Sequence, residues 1–210
     1  MADEPLLFHV FETLLEADVD ELVVVVGYEM AAIMDHFGDD YRGVPITYVH
    51  QREQRGLGHA VLQAEPYVDG QFVVLNGDNV FAGSVRPAIE RAREEPVTGV
   101  VLVEELPRAD ARETGVVETE DGRITGLVEK PDDPPSTLAT TGCYVLPEAV
   151  FHACRLLRPS DRGEYELADA VDLLVRAGAT VEAIRYDGER CNVNTEADIE
   201  RAEELVGERG

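Results

Sequence analysis

The chain has 210 residues, 44% of them hydrophobic, and carries 43 Asp and Glu against 18 Lys and Arg for a formal net charge of −25. That length suits a single domain with a normal core. So acidic a surface repels nucleic acid and anionic membrane, no stretch reaches the roughly eighteen apolar residues of a membrane span, and no basic-then-apolar secretory signal opens the chain, so a cytoplasmic protein is expected.

Taken in order, helices and strands alternate. Leu6, Leu7, Val10, Phe11, Leu14 and Leu15 recur at helical spacing. Glu21–Val26 is a continuous apolar strand, and Met30–Phe37 a helix closed by Gly38. Val44–Val49 reads as a strand, Gly58–Ala64 as a helix and Phe72–Leu75 as a short apolar strand. Ser84 caps a helix reaching Glu94, and Gly99–Val103 follows as a strand. Apolar strands joined by helices predict a mostly parallel sheet covered on both faces. From Thr114 the pattern changes. Gly115–Thr119 and Arg123–Glu129 flank Asp121-Gly122 as a hairpin. Thr137–Leu146 is a further strand, Ala149–Leu157 and Tyr165–Ala177 are helices, and Thr180–Tyr186 is a late strand. A last helix runs from Thr195 to about Val206, opened by early acids.

The acids are dispersed along the chain, and Lys130 is the only lysine among the 18 basic residues. A solvated acidic shell suited to high salt accounts for both features, and a halophilic, archaeal source follows from that composition. Cys143, Cys154 and Cys191 form no C-x-x-C pair and read as small buried side chains.

Ligands of open α/β sheets bind beyond the carboxyl ends of strands. Gly77-Asp78-Asn79 lies there, after Phe72–Leu75. It serves either as an ordinary Asx turn or as a hard carboxylate for Mg²⁺. Gly56-Leu57-Gly58-His59-Ala60-Val61 imitates a dinucleotide fingerprint but has Val61 for the third glycine, which disfavours a nicotinamide oxidoreductase. Its glycines would let backbone approach a flat base, and the Gln51 amide could read that base's edge. His59 reads as a structural helix residue. Lys130, in Val128-Glu129-Lys130-Pro131, is either a chance survivor on a solvated face or an ammonium placed for a phosphate. Arg162, in Arg162-Gly163-Glu164-Tyr165-Glu166-Leu167, is either a surface arginine or part of an anion site ahead of a helix.

In this order, Gln51 with Gly56-Leu57-Gly58-His59-Ala60, Gly77-Asp78-Asn79, Thr114-Gly115-Val116-Val117, Val128-Glu129-Lys130-Pro131, Thr141-Gly142, Arg162-Gly163-Glu164 and Asn192-Val193-Asn194-Thr195 closely resemble the sugar-1-phosphate nucleotidyltransferases. Those include glucose-1-phosphate thymidylyltransferases and UTP–glucose-1-phosphate uridylyltransferases, and the resemblance spans essentially the whole chain. Glu4-Pro5-Leu6-Leu7-Phe8-His9-Val10 also resembles the family's first helix. The implied fold is the α/β nucleotide-diphospho-sugar transferase, a Rossmann-like sheet flanked by helices with a small β-hairpin portion for the sugar.

The resemblance implies that Gln51, Gly56 and Gly77 contact the nucleotide and that Asp78 ligates Mg²⁺. Gly115, Glu129 and Gly142 would line a sugar pocket, and Lys130 and Arg162 would grip the sugar phosphate. Asp78, Lys130 and Arg162 are thus the catalytic candidates. The implied reaction passes a nucleotidyl group from UTP or dTTP to a hexose 1-phosphate, glucose 1-phosphate foremost, and releases pyrophosphate. The wording Gly-Leu-Gly-His-Ala-Val leans toward the uridylyl branch. Asn192 (or Asn194) stands where the family commonly has a second metal-binding Asp.

The family also begins with a strand and a glycine-rich, Arg-bearing loop, and neither precedes Glu4. A single domain over 1–210 without them should leave neighbouring strands with unpaired edges. A start placed too far downstream would account for this. So would a truncated paralogue acting as a non-catalytic nucleotide-sugar-binding or regulatory subunit. Nothing in the sequence decides whether the chain forms a homo-oligomer.

If the acidic shell is held together by screening, the urea midpoint should rise steadily as KCl goes from millimolar to molar concentrations. A midpoint that falls or stays flat across that range contradicts the reading.

Overall fold

The computed structural model describes residues 5–207; Glu4 lies outside them. In chain order the elements are α1 Leu6–Glu16, β1 Leu22–Val26, α2 Met30–Phe37, β2 Asp40–Tyr41, β3 Val44–His50, α3 Leu57–Ala64, β4 Phe72–Leu75 and β5 Asn79–Phe81. They continue with α4 Arg86–Ala92, β6 Gly99–Glu105, β7 Gly115–Glu120, β8 Arg123–Glu129 and β9 Leu138–Leu146. The last are α5 Ala149–Leu156, α6 Leu167–Arg176, β10 Val181–Arg185, β11 Arg190–Asn192 and α7 Glu196–Gly207. The predicted helices and longer strands are all present, shifted at most by a few residues. No helix among the described residues is long and apolar enough to cross a membrane.

The sheet expectation needs correction. β1 pairs parallel with β3, and β10 parallel with β6, but β4, β6 and β7 all pair antiparallel with β9. The architecture is therefore mixed. The hairpin is the physical reason: it reverses the chain after β6, so β9 returns against both β4 and β6. Nor is the hairpin a separate portion. β8 joins β10, and β7 reaches β9 through Val116 opposite Ala139. The order β9-β6-β10-β8-β7 thus closes on β9 as a partial barrel.

That ring encloses the largest apolar cluster. Val101, Val103, Val117, Leu127, Tyr144 and Leu146 pack with Phe151 of α5 and Val171 of α6. α4 covers another side with Ala88, Ile89 and Ala92 against Val100 and Leu102. α1 presents Phe11 to Leu22 and Ile46, and the Phe11 and Phe37 rings meet edge to face at 4.9 Å. The three cysteines are buried, as their spacing suggested. Burial pushes the Cys143 and Cys154 thiols up to about 12, so neither is a thiolate at neutral pH.

Two features position the site. Val101 lies opposite Tyr144 but Val103 opposite Thr140, so β9 bulges between them, at Gly142 with φ +80°. In addition, β1 pairs with β3 and β4 with β9, and no other strand among the described residues pairs with β1 or β4. Between these two edges lies a cavity of 830 Å³, walled by Val23, Val25, Val73 and Leu75 with Val10 of α1 and Val61 of α3.

The bulge can be tested directly. A Cβ at Gly142 would lie 2.9 Å from Asn76 Nδ2 and 3.0 Å from Asn79 Nδ2, whereas one at Gly70 (φ +75°) meets nothing within 4 Å. Gly70→Ala should cost about 1 kcal/mol of backbone strain. Gly142→Ala should cost roughly 2–4 kcal/mol, because the clash adds to that strain. Urea denaturation of the two variants measures the difference.

Candidate active site

Asp78 follows β4 and precedes β5. β5 pairs antiparallel with β11, setting Asn192 opposite Asn79, and the Val193 N–H donates to the Asp78 carbonyl at 2.8 Å. The two predicted metal ligands, 114 positions apart, therefore sit on neighbouring rungs. Asn79 is 2% exposed and donates through Nδ2 to Asp78 Oδ1 at 2.6 Å. Burial raises the Asp78 carboxyl above its ordinary value, opposed by its own backbone N–H, the Arg190 charge and the Asn79 amide. The buried Asn76 Oδ1 has no hydrogen-bond partner among the described residues.

Gln51, Gly56, Gly77 and Asp78 all line the 830 Å³ cavity. Gln51 is buried, and its Nε2 donates to the Gly56 carbonyl at 3.3 Å and contacts His59 Nδ1 at 2.9 Å. A carbonyl only accepts, so the Gln51 amide orientation is fixed and its Oε1 remains to accept from a ligand. His59, read from sequence as structural, acts by holding Gln51. Gly56 has φ +97°, and a Cβ there would lie 2.8 Å from the Tyr165 carbonyl. The backbone that needs room at Gly56 is thus that of Tyr165.

Glu129 ends β8 and Gly115 begins β7 directly opposite. A Cβ at Gly115 would stand 2.9 Å from Thr140 Oγ1 and 3.0 Å from Glu129 Oε2, so glycine here keeps the carboxylate in place. The Lys130 N–H donates to the Thr114 carbonyl at 3.0 Å, with Lys130 in the left-handed region at φ +43°. A non-glycine residue held there is uncommon and concentrates at functional sites. Lys130 is exposed, and among the described residues its ammonium makes no ion pair. Arg162 Nη2 donates to Glu166 Oε1 at 2.8 Å and lies 4.0 Å from Glu129 Oε1. Burial first, and then the Glu166 charge, push the Glu129 carboxyl up to about 7, against the pull of Lys130 and Arg162.

Two connections join these groups. Along β9, Thr140 stands by Glu129, and Gly142 two residues on touches Asn76 and Asn79 beside Asp78. The Arg162 turn is tied to the α3 entrance, where the Tyr165 N–H donates to the Arg55 carbonyl and the Gly58 N–H to the Tyr165 carbonyl. Glu164 from that turn lines the cavity. Gly115, Glu129, Lys130, Gly142 and Arg162 do not line the cavity itself; they form the adjoining group. Three residues were given no role in the sequence reading, although Asn79 and Glu166 stood inside quoted motifs. Glu166 is 6% exposed and accepts from Ser160 as well as Arg162; Arg162 lies in the turn ahead of α6, so no helical spacing linked the two. Nor did any spacing link Asn79 to Arg190.

Among the described residues no three Asp, Glu, His or Cys side chains gather as a metal cage. What is present is one carboxylate and an adjacent amide. That set fits Mg²⁺, which commonly takes one or two protein oxygens and fills its octahedron with water and phosphate.

Residues 1–190 match the family model described as nucleotidyl transferase. Over 206 residues the chain is 46% identical to UTP–glucose-1-phosphate uridylyltransferase AglF of Haloferax volcanii, covering 98% of this chain and 85% of that protein. It is 34% identical over 193 residues to a glucose-1-phosphate thymidylyltransferase of Streptomyces antibioticus, covering 90% of this chain and 53% of the relative. Among solved structures, UDP-glucose pyrophosphorylase complexed with UDP-glucose superposes with a TM-score of 0.88 at 22% identity, over 99% of this chain and 88% of that one. UTP-bound UGPase from Acinetobacter baumannii gives 0.83 at 23% identity, over 98% and 82%. Both likenesses show a shared fold.

Glu129 supplies a pH test. Its folded pKa, about 7, lies above the ordinary 4.5, so between those values the folded protein binds more protons than the unfolded chain. The stability it contributes is fully present below pH 4.5 and is lost as pH rises through about 7. Glu129→Gln should remove that fall from the stability-versus-pH curve, measured by urea denaturation at fixed salt. An unchanged slope would place the Glu129 titration elsewhere.

Proposed function

The chain belongs to the nucleotidyl transferase family, and from that premise we propose that it transfers a nucleotidyl group from UTP or dTTP to a hexose 1-phosphate, giving a nucleotide sugar and pyrophosphate. The observation that carries this reading is the adjacency of two groups. The cavity bears Gln51 and Asp78, and beside it Lys130 and Arg162 flank Glu129.

A phosphate oxygen of the sugar phosphate forms the new bond to the α-phosphorus, and the bond to the β,γ-pyrophosphate breaks with its electron pair leaving on pyrophosphate. The attacking oxygen is already anionic, so neither a general base nor a covalent enzyme intermediate is required. The Cys143 and Cys154 thiols, kept protonated by burial, are suitably inert. Positioning and charge neutralisation suffice. Lys130 and Arg162 hold the sugar phosphate, Lys130 as a point charge and Arg162 as a planar fork set by Glu166. Glu129 accepts hydrogen bonds from sugar hydroxyls, which favour its ionised form and lower its pKa on binding. Gln51 Oε1 accepts from the imide N–H of uracil or thymine. Asp78 and Asn192 are the residues that would hold Mg²⁺, which when bound neutralises phosphate charge. With an amide for its second protein ligand the site brings one charge fewer, so Mg²⁺ should bind weakly without nucleotide. Glucose 1-phosphate is the proposed acceptor and UTP the proposed donor, and the acidic shell suits a halophilic cytoplasm.

The edges of β1 and β4 that pair with no other strand among the described residues face this cavity, and this supports placing there the strand and glycine-rich loop implied by the resemblance. On this reading residues 1–210 form the body of one domain whose sheet such a strand completes.

The test is pyrophosphate release from UTP with glucose 1-phosphate in molar KCl, on this chain and on one carrying a strand-and-loop segment ahead of Glu4. The extended chain should turn over faster. In it, Lys130→Ala should lower kcat/KM about 100-fold or more, and Asp78→Asn should abolish Mg²⁺-dependent turnover. Nucleotide-sugar binding without turnover by the extended chain would favour the non-catalytic subunit.

A further inference from the structure

We infer that Asn79 and Arg190 are positioning residues that aim the Asp78 carboxylate, through one hydrogen-bonded chain anchored on Glu104. The inference rests on Asp78 being the cation ligand of the proposed reaction.

Glu104 lies near the end of β6, and its Oε1 accepts from Arg190 Nε at 3.1 Å and from Arg190 Nη2. The remaining arm, Nη1, donates to Asn79 Oδ1. A guanidinium only donates, so the Asn79 atom facing it must be the carbonyl oxygen. The NH₂ end must therefore face Asp78, where it donates to Oδ1 at 2.6 Å. The orientation of this amide is fixed by the chemistry of its neighbours. Asn79 is 2% exposed and the Arg190 side chain 11%, so water cannot readily substitute for either.

The strand pairing makes the chain rigid. Arg190, Cys191 and Asn192 lie opposite Phe81, Val80 and Asn79. Cys191 turns into the apolar cluster with Val80 and Leu205. Arg190 and Asn192, two apart, therefore project from the other face of β11, the face on which Asn79 also lies. One short strand thus carries both the proposed second ligand and the group that orients the first. With Oδ1 held by Asn79, Asp78 can turn its other oxygen toward the cavity it lines.

An ordinary ion pair between Arg190 and Glu104 would not need arginine. Spanning Glu104 and Asn79, on two different strands, does need the planar fork, and a lysine ammonium cannot reproduce it.

The experiment measures Mn²⁺ affinity by electron paramagnetic resonance in molar KCl, with folding checked by circular dichroism. The proteins are the parent, Asp78→Asn, Arg190→Met, Arg190→Lys and Asn79→Leu. Asp78→Asn should lose the site and defines the background. Arg190→Met and Asn79→Leu should weaken Mn²⁺ binding about 10- to 100-fold, the usual effect of losing a group that orients a metal ligand. Arg190→Lys should not restore it, and adding Arg190→Met to Asp78→Asn should cause no further loss. Should Arg190→Met fail to fold, Arg190→Lys and Asn79→Leu carry the test. Affinities within about twofold of the parent in these folded variants, with Asp78→Asn still defective, would overturn the positioning role alone. Mn²⁺ binding that is absent from the parent, or untouched by Asp78→Asn, would instead overturn Asp78 as the ligand.

Discussion

Strand β9 shares hydrogen bonds with β6 along one side and with β4 and β7 along the other, and it bends where Gly142 takes a conformation that other residues resist. That bend brings the β9 backbone against Asn76 and Asn79 while leaving Thr140 beside Gly115 and Glu129. The cation end and the sugar end of the proposed site are thus set along one strand, a few ångströms of backbone apart.

Electrostatics within this frame differ from those of the shell. On the surface, pairs such as Arg86–Asp18 and Arg108–Asp133 are open to solvent and contribute little each. Inside, Glu129, Glu166 and Asp169 crowd around Arg162, and burial and mutual repulsion raise both Glu129 and Asp169. Such a cluster is poorly satisfied by the protein alone. In the proposed function a phosphorylated sugar would relieve it, bringing hydroxyl donors to the carboxylates and an anion to Lys130 and Arg162.

The cavity between β1 and β4 has a different character. Its walls combine helix side chains with two strand edges, and exposed edges of that kind are templates for a further strand. Asp78 lines the same space, so in the proposed function a further strand and the nucleotide would share its walls.

The periodicity of the sequence determined the helices, because their apolar residues recur on one face, and the long strands, because short β-branched runs such as Leu-Val-Val-Val-Val favour extended backbone, although β1 is fully buried only at its two ends. The order of short motifs carried the family resemblance and, with it, the candidate residues. Strand direction was not legible: apolar runs look alike whether a neighbour runs parallel or antiparallel, and only the return of β9 decided that the sheet is mixed. β5 and β11 were also hidden, being three residues each with no room for a period. Yet their pairing joins Asp78 to Asn192 and brings Arg190 to Asn79. Local pattern reports what a segment buries. Which distant segment lies beside it is settled by backbone pairing and packing, and those exist only in the folded chain.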